Sequence, residues 1–132
     1  MRLLLDTHAL LWWATAPDRL PEKVSRTIQD GQEVFVSAAT AWEIATKVRI
    51  GKLEWPAHCG TVSDYLRVQD FKPLPVSVEH AEHAGQLALL HRDPFDRMLI
   101  AQAVREDLWL VSNEKLFDDA GVRRYWTGVP HE

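Results

Sequence analysis

The chain has 132 residues, 46% of them hydrophobic and 26% charged, which excludes an intrinsically disordered protein and fits one domain with a buried core. No apolar run approaches the roughly 20 residues of a membrane-spanning helix, and Asp6 places a charge too early for a signal peptide, so we expect a cytoplasmic protein without a membrane partner. The net charge of −4 argues against nucleic-acid binding through a large basic face, but it does not exclude a nuclease whose acidic residues bind cations.

Short apolar runs alternate with helical patterns along the chain, as they do in proteins built on a parallel α/β sheet. In chain order, the predicted elements are a strand at 2–6, helices at about 7–15 and 20–29, a strand at 34–36, helices at 38–50 and 61–70, an extended segment at 74–76, helices from 78 to 90 and from 93 to 106, a strand at 108–112, a short helix ending near 119 and an edge strand at 122–125.

Local signals support several of these boundaries. Ser37 is the expected N-cap of the helix at 38–50 and Gly51 its C-cap, while Asp93 followed by Pro94 starts another helix. The chain contains no repeat, low-complexity tract or linker. The sequence therefore predicts a single domain over residues 1–132, with a central parallel sheet flanked by helices.

Acidic residues stand near predicted strand ends and helix starts at widely separated points of the chain: Asp6, Glu43, Asp96 and Glu114. In an open parallel sheet, ligands bind beyond the carboxyl ends of the strands, so these side chains can meet there. Carboxylates gathered at one place repel one another unless a divalent cation neutralises them. The pattern therefore indicates metal-assisted phosphoryl chemistry.

Each acid also has a purely structural interpretation. Asp6 can cap the helix that follows it, and acids are favoured in the first turn of a helix, where Asp96 and Glu114 stand. Asp96 shares a stripe with the apolar residues Leu99 and Ile100, so its side chain should point inward and need a partner such as a cation. Two other acids could replace Glu114, although they lie farther from the strand end: Asp118 and Asp119.

Glu43 is the acid that periodicity supports least. The apolar stripe of its helix is predicted to run through four other residues: Ala41, Ile44, Ala45 and Val48. Glu43 lies off that stripe, so the pattern favours an exposed ion pair with Lys47 one turn later. An exposed pair of this kind contributes little to stability.

Aromatic, histidine and basic residues provide further candidates. Because Trp12 and Trp13 face about 100° apart on one helix, one should enter the core and the other is a candidate for a dimer or partner surface. His80 and His83 could share a metal, but no third ligand lies nearby in sequence, so a packing role is favoured. A basic cluster could guide nucleic-acid phosphates or simply face solvent: Lys47, Arg49 and Lys52. Two further residues could contact a substrate phosphate or supply charge at the C-terminal end of a helix: His91 and Arg92.

Four segments resemble, in order and spacing, the motifs of PIN-domain proteins, and most closely those of the VapC toxins of bacterial type II toxin–antitoxin pairs. The segments cover residues 4–8, 37–44, 93–101 and 110–114. One such motif alone would be weak support, whereas four in order are specific. The resemblance extends over nearly the whole chain.

The resemblance implies a ribonuclease that depends on Mg²⁺ or Mn²⁺, with Asp6, Glu43 and Asp96 as its catalytic and metal-binding acids. The fourth acid of the family is commonly Asp, so Glu114 departs from the pattern and would reach the metal directly or through water. Carboxylate and water ligands suit Mg²⁺ or Mn²⁺ better than Zn²⁺. Three polar residues are expected to hydrogen-bond around the carboxylates: Thr7, Asp93 and Ser112.

The resemblance also implies partners. The chain would be the toxin of its pair, a homodimer that cleaves RNA phosphodiesters and is held by a separate antitoxin chain. Two other interpretations stay open at the level of sequence. A receiver-like signalling domain needs adjacent acids after the first strand, but Asp6 is followed by Thr7 and His8. A catalytically degenerate PIN-like module would only bind a partner, and metal titration would separate it from an enzyme.

Overall fold

Five short parallel strands form the centre of the protein in a computed structural model that describes residues 1–30, 33–88 and 91–127. The strands are β1 (Arg2–Leu5), β2 (Glu33–Ser37), β3 (Lys72–Leu74), β4 (Trp109–Val111) and β5 (Arg124–Tyr125). Their order across the sheet is β3-β2-β1-β4-β5, and every pairing between them is parallel. The predicted parallel sheet is confirmed.

Helices connect the strands and cover both faces of the sheet. They are α1 (Thr7–Thr15), α2 (Glu22–Gln29), α3 (Ala38–Arg49), α4 (Val62–Gln69), α5 (Val78–Gln86) and α6 (Pro94–Arg105), with 3-10 turns at Pro17–Arg19, Ala57–Cys59 and Lys115–Ala120. Ser37 caps α3 and Asp93 caps α6, as predicted. Among the described residues, no helix has both the length and the apolar character needed to cross a membrane.

The core lies on the two faces of β1, the central strand. Leu3 and Leu5 face a cluster built with α1, α2, α3 and α4, whereas Leu4 faces a cluster built with α6. All three leucines are fully buried, as expected for a parallel strand covered on both faces. Each such side chain stabilises the fold by about 1.5–3 kcal/mol relative to an exposed position.

The strand order places a topological switch point between β1 and β4. From β1 the chain first builds outward through β2 to β3, then crosses to the other side of β1 to add β4 and β5. The Asp6 amide donates to the Val111 carbonyl at 3.0 Å, which fastens the ends of β1 and β4 together. A crevice for ligands forms at such a point, outside the carboxyl ends of the strands.

Two predicted boundaries are wrong because long-range contacts set them. The extended segment predicted at 74–76 begins earlier in the structure, since β3 lies at Lys72–Leu74, where Pro73 is tolerated because β3 is an edge strand. The helix predicted to reach residue 90 ends at Gln86, and its predicted end lies outside the described residues. The Arg97 side chain donates to the carbonyls of Ala84 and Leu87, so it satisfies acceptors that this helix end leaves open.

Two smaller differences concern local geometry. The C-cap of α3 is Ile50, and Gly51 follows it with a φ of 77°, a left-handed conformation that glycine adopts without strain. The short helix predicted to end near residue 119 is a 3-10 turn over Lys115–Ala120.

Candidate active site

Asp6 is buried at the carboxyl end of β1, where its Oδ1 accepts a hydrogen bond from the Ala9 amide at 2.7 Å and caps α1. Burial raises the pKa of Asp6 to about 6, and the negative charge of Asp96 adds to the rise. Hydrogen bonds from Ser112 and Ala9 and the charge of His8 lower it again in part. The charged form of Asp6 is therefore costly, and a bound cation would relieve that cost.

Glu43 is buried, contrary to the prediction from the periodicity of its helix. The Thr7 hydroxyl donates to Glu43 Oε1 at 2.6 Å, and Thr7 Oγ1 lies 3.2 Å from Thr40 Oγ1, so polar contacts join α1 to α3. The predicted pair with Lys47 exists at 2.5 Å, but the Glu43 side chain is only 5% exposed. A carboxylate buried in this way needs such partners, since an uncompensated buried charge is costly.

The prediction for α3 failed because the helix turns a polar face toward the centre of the molecule. Ile44 is buried as expected, but Ala45 and Val48 are exposed, and Thr40 and Glu43 take the inward positions. Apolar residues occur commonly at protein surfaces, so a stripe that rests largely on alanines carries little information about direction.

Asp96 lies in the first turn of α6 and points inward, with Leu99 and Ile100 buried on the same face as predicted. Asp93 Oδ1 accepts hydrogen bonds from the first amides of the helix, including that of Asp96 at 3.1 Å. His91 Nε2 lies within hydrogen-bonding distance of Asp96 Oδ2, at 2.7 Å. Burial raises the pKa of Asp96, and the charges of nearby carboxylates add to the rise.

Glu114 follows β4 and caps the 3-10 turn after it, with its Oε1 accepting from the Leu116 amide at 3.3 Å. The Ser112 hydroxyl accepts from the Glu114 amide at 3.0 Å and also hydrogen-bonds to Asp6, so this buried serine joins the ends of β4 and β1. The alternative fourth acids Asp118 and Asp119 are exposed, and Asp118 pairs with Arg124.

The four predicted acids line one cavity of about 250 Å³: Asp6, Glu43, Asp96 and Glu114. The carboxylates influence one another, since Asp96 raises the pKa of Asp6 and Glu43 raises that of Asp96. The remaining residues around the cavity are Thr7, His8, Trp12, Lys47, Asp93, Asn113 and Phe117. Among these, Asn113 directly precedes Glu114 and His8 lies two residues after Asp6, and that proximity in sequence was the signal available for finding them.

The oxygen donors around this cavity have the chemistry that a hard divalent cation such as Mg²⁺ or Mn²⁺ prefers. Within the part of the chain that the structure describes, however, no three His, Cys, Asp or Glu side chains form a group that could hold a metal ion. Lys47 already contacts one oxygen of Glu43, and His91 contacts one oxygen of Asp96. A cation that enters the cavity has to displace or rearrange these contacts.

The histidine and tryptophan candidates pack against other residues of the protein. His80 is buried in a capping box with Ser77 and hydrogen-bonds to Glu106, which agrees with the packing role that was favoured over a metal site. Trp12 and Trp13 are both partly buried, and both pack against the same core cluster. The predicted division into one core residue and one surface residue is therefore not observed.

The chain belongs to the PIN domain family, whose model matches residues 3–122. This membership leaves the receiver-like interpretation without support. Among individual proteins, the chain is similar to Ribonuclease VapC22 of Mycobacterium tuberculosis, with 25% identity over 120 residues that cover 86% of this chain and 87% of that protein.

Solved structures of VapBC complexes share the fold. The VapBC complex of Salmonella typhimurium bound to DNA matches with a TM-score of 0.71 and 19% identity, over 94% of this chain and 96% of the matched one. VapBC2 of Rickettsia felis bound to a promoter DNA fragment matches with a TM-score of 0.70 and 15% identity, over the same shares of the two chains. At this level of identity the likeness establishes the fold alone.

Proposed function

We propose that the chain is an endoribonuclease that depends on Mg²⁺ or Mn²⁺ and cleaves RNA phosphodiesters. Carboxylates from four separate segments of the chain meet in one cavity at the switch point of the sheet, and this observation is the main support for the proposal. A relative that is named a ribonuclease supports RNA as the substrate. The cavity residues offer oxygen donors and lack a cysteine nucleophile, which favours metal-assisted hydrolysis.

In this proposal Asp6, Glu43 and Asp96 bind the cation, and Glu114 reaches it directly or through water. A bound divalent cation would lower the pKa of an attacking water and stabilise charge on the leaving oxygen of the phosphodiester. Glu114 has one more methylene than the aspartate that is common at this position of the family, so its carboxylate extends farther from the backbone.

Polar residues around the carboxylates restrict where the acids can point. Thr7 donates to Glu43, and Ser112 hydrogen-bonds to Asp6 from its buried position after β4. Asp93 fixes the first turn of α6 by accepting from its amides. Such supporting hydrogen bonds orient metal-binding carboxylates, and their loss commonly lowers metal affinity or activity by about 10- to 100-fold.

Lys47 supplies positive charge inside the acidic cavity. Its ammonium contacts Glu43 at 2.5 Å. With a divalent cation bound to that carboxylate, Lys47 would be available to contact a phosphate of the RNA, which the acids would otherwise repel. The chain carries a net charge of −4, so cations at the site are needed to draw a polyanion toward it.

The proposal extends to the toxin of a type II toxin–antitoxin pair, acting in the cytoplasm as a homodimer. Solved structures that share its fold include VapBC complexes, which supports a protein partner for this chain. A separate antitoxin chain would control the acidic cavity, and an Arg or Lys of that partner placed among the carboxylates would compete with metal.

The enzymatic proposal is tested with purified protein and labelled structured RNAs, with and without Mg²⁺ or Mn²⁺. Cleavage should require the metal and fall at least about a hundredfold in Asp6→Asn and Asp96→Asn. Asp119→Asn is the matched control, because Asp119 is an exposed acid that follows Glu114 in the chain. If folded wild-type protein binds the metals but cleaves none of the RNAs, the chain is a degenerate binding module.

The toxin proposal is tested in cells. Expression of the wild-type chain alone should halt growth, co-expression with the small protein encoded beside it should restore growth, and Asp6→Asn should be harmless. A wild-type chain that is well expressed, folded and equally harmless would refute the toxin role while leaving the fold and the nuclease assay untouched.

A further inference from the structure

An aromatic wall formed by His8 and Trp12 borders the acidic cavity. His8 and Trp12 both line the cavity, and their ring centroids are 5.6 Å apart with an interplanar angle of 38°. Behind them, the rings of Trp12 and Trp126 are 5.7 Å apart. Arg19 lies over Trp12, with its guanidinium carbon 5.3 Å from the ring centroid.

His8 is the exposed end of this wall. It lies in the first turn of α1, two residues after Asp6, and its charge acts on that carboxyl. Trp12 is one helical turn later, partly buried and packed against the core cluster, so it limits the freedom of the imidazole that rests against it. A ring that is already ordered loses less conformational entropy when a ligand stacks on it.

We propose that the His8 ring, backed by Trp12, is the surface on which an unpaired base of the RNA stacks beside the scissile phosphate. This inference rests on the proposed ribonuclease function. Proteins that bind single-stranded RNA stack its bases on aromatic and histidine side chains. Stacking supplies affinity that does not depend on charge, which suits a chain whose net charge is −4 and whose cavity is lined by acids that repel phosphates.

Two other roles for His8 make different predictions. As a proton donor or a metal ligand, the residue would act through its ring nitrogens, and replacement by phenylalanine would be as harmful as replacement by alanine. As a stacking surface, it acts through the ring face, which His8→Phe keeps and His8→Ala removes. The pair of variants therefore separates the ring from its nitrogens.

The test combines each protein variant with each RNA variant in a double-mutant cycle, and kcat/KM in Mn²⁺ is measured for every pair. The reference substrate is the shortest single-stranded RNA that the wild type cleaves. It is compared with a set of RNAs of the same sequence, each with one abasic residue at a different position next to the cleavage site. At one position the loss of the base should cost the wild type between about fivefold and a hundredfold. His8→Ala should lose this dependence on the base, whereas His8→Phe should retain it.

Controls separate stacking from general damage. His58→Ala should show the wild-type dependence on the base, since His58 is an exposed histidine that is not among the residues around the cavity. The thermal midpoint of every variant is measured in parallel, and His8→Ala should match the wild type because the side chain is exposed.

The outcomes distinguish failure of this inference from failure of the proposed function. If the wild type cleaves RNA but no abasic position matters, or if His8→Ala keeps the full dependence on the base, the stacking role is wrong and the nuclease remains. If His8→Phe loses the dependence together with His8→Ala, the ring nitrogens are what the site uses. If the wild type cleaves no RNA, the ribonuclease function itself fails and the inference falls with it.

Discussion

At the scale of single residues, Asp6 combines two roles that a substitution can separate. Its carboxylate caps α1 through the Ala9 amide and also faces the acidic cavity. Asparagine caps a helix about as well as aspartate but carries no charge. Asp6→Asn therefore keeps the cap while it removes the charge on which metal binding would depend.

We expect Asp6→Asn to be at least as stable as the wild type at neutral pH in EDTA. A pKa raised from 3.8 to about 6 means that the folded protein binds the proton more tightly than the unfolded chain. The ionised carboxyl therefore lowers stability increasingly as pH rises through this range, by roughly 3 kcal/mol once it is fully charged. The extra stability of Asp6→Asn relative to the wild type should vanish as the pH falls toward about 4.

Urea unfolding of both proteins in EDTA, across this range of pH, measures the difference. A variant that is clearly less stable than the wild type at neutral pH would show that Asp6 is a structural acid, and the metal-site interpretation of this residue would be wrong.

Lys47 gives a second prediction at this scale. Its ammonium competes with any cation for Glu43, so we expect Lys47→Gln to bind Mn²⁺ severalfold more tightly than the wild type. The RNA affinity of the variant should fall, because a positive charge has left the cavity. Isothermal titration with Mn²⁺ measures the first effect, with the exposed Lys52→Gln as control. Weaker metal binding in Lys47→Gln would mean that the ammonium supports the site and does not compete for it.

At the scale of elements, α1 and α3 are joined by polar side chains at a place where helices usually present apolar ones. Thr7 donates to the buried Glu43 at 2.6 Å, and its Oγ1 lies 3.2 Å from Thr40 Oγ1. Thr7→Val keeps the shape of the side chain but removes this donor. We expect it to lower the free energy of unfolding by about 1.5–3 kcal/mol, the usual contribution of a hydrogen bond to a charged group.

Urea unfolding measures this loss against Thr15→Val, a matched change at an exposed threonine in the last turn of the same helix. The control should stay within about 0.5 kcal/mol of the wild type. If Thr7→Val is equally neutral, the contact between Thr7 and Glu43 contributes nothing to the stability of the α1–α3 pair.

The same elements indicate what the sequence can and cannot predict. Helix starts such as those at Ser37 and Asp93 were predicted because a cap depends on neighbouring residues alone. The inward position of Glu43 was not predicted, because it depends on a hydrogen bond from Thr7, which belongs to another helix. The end of α5 was also missed, since the side chain of Arg97 comes from a helix later in the chain.

At the scale of the whole molecule, the strand order explains why the acids meet. Asp6 follows β1 and Glu114 follows β4, and these two strands are neighbours at the switch point of the sheet. The sequence predicted this meeting, because parallel strands share one carboxyl edge. It also predicted the pair between Glu43 and Lys47, which lie one turn apart on α3. It did not predict that His91 contacts Asp96, since that contact depends on how the segment before α6 folds back over the first turn of the helix.

The last prediction concerns the folded molecule and its metal. A cation that binds only the native state stabilises it by mass action, by about 2.7 kcal/mol at a free concentration of a hundred times Kd. For a chain of 132 residues this corresponds to a rise in Tm on the order of 10 °C. We expect Mg²⁺ or Mn²⁺ to give such a rise in the wild type and in Asp119→Asn, and a much smaller one in Asp6→Asn. Thermal unfolding at stepped metal concentrations measures it, and equal rises in all three proteins would place the metal outside the acidic cavity.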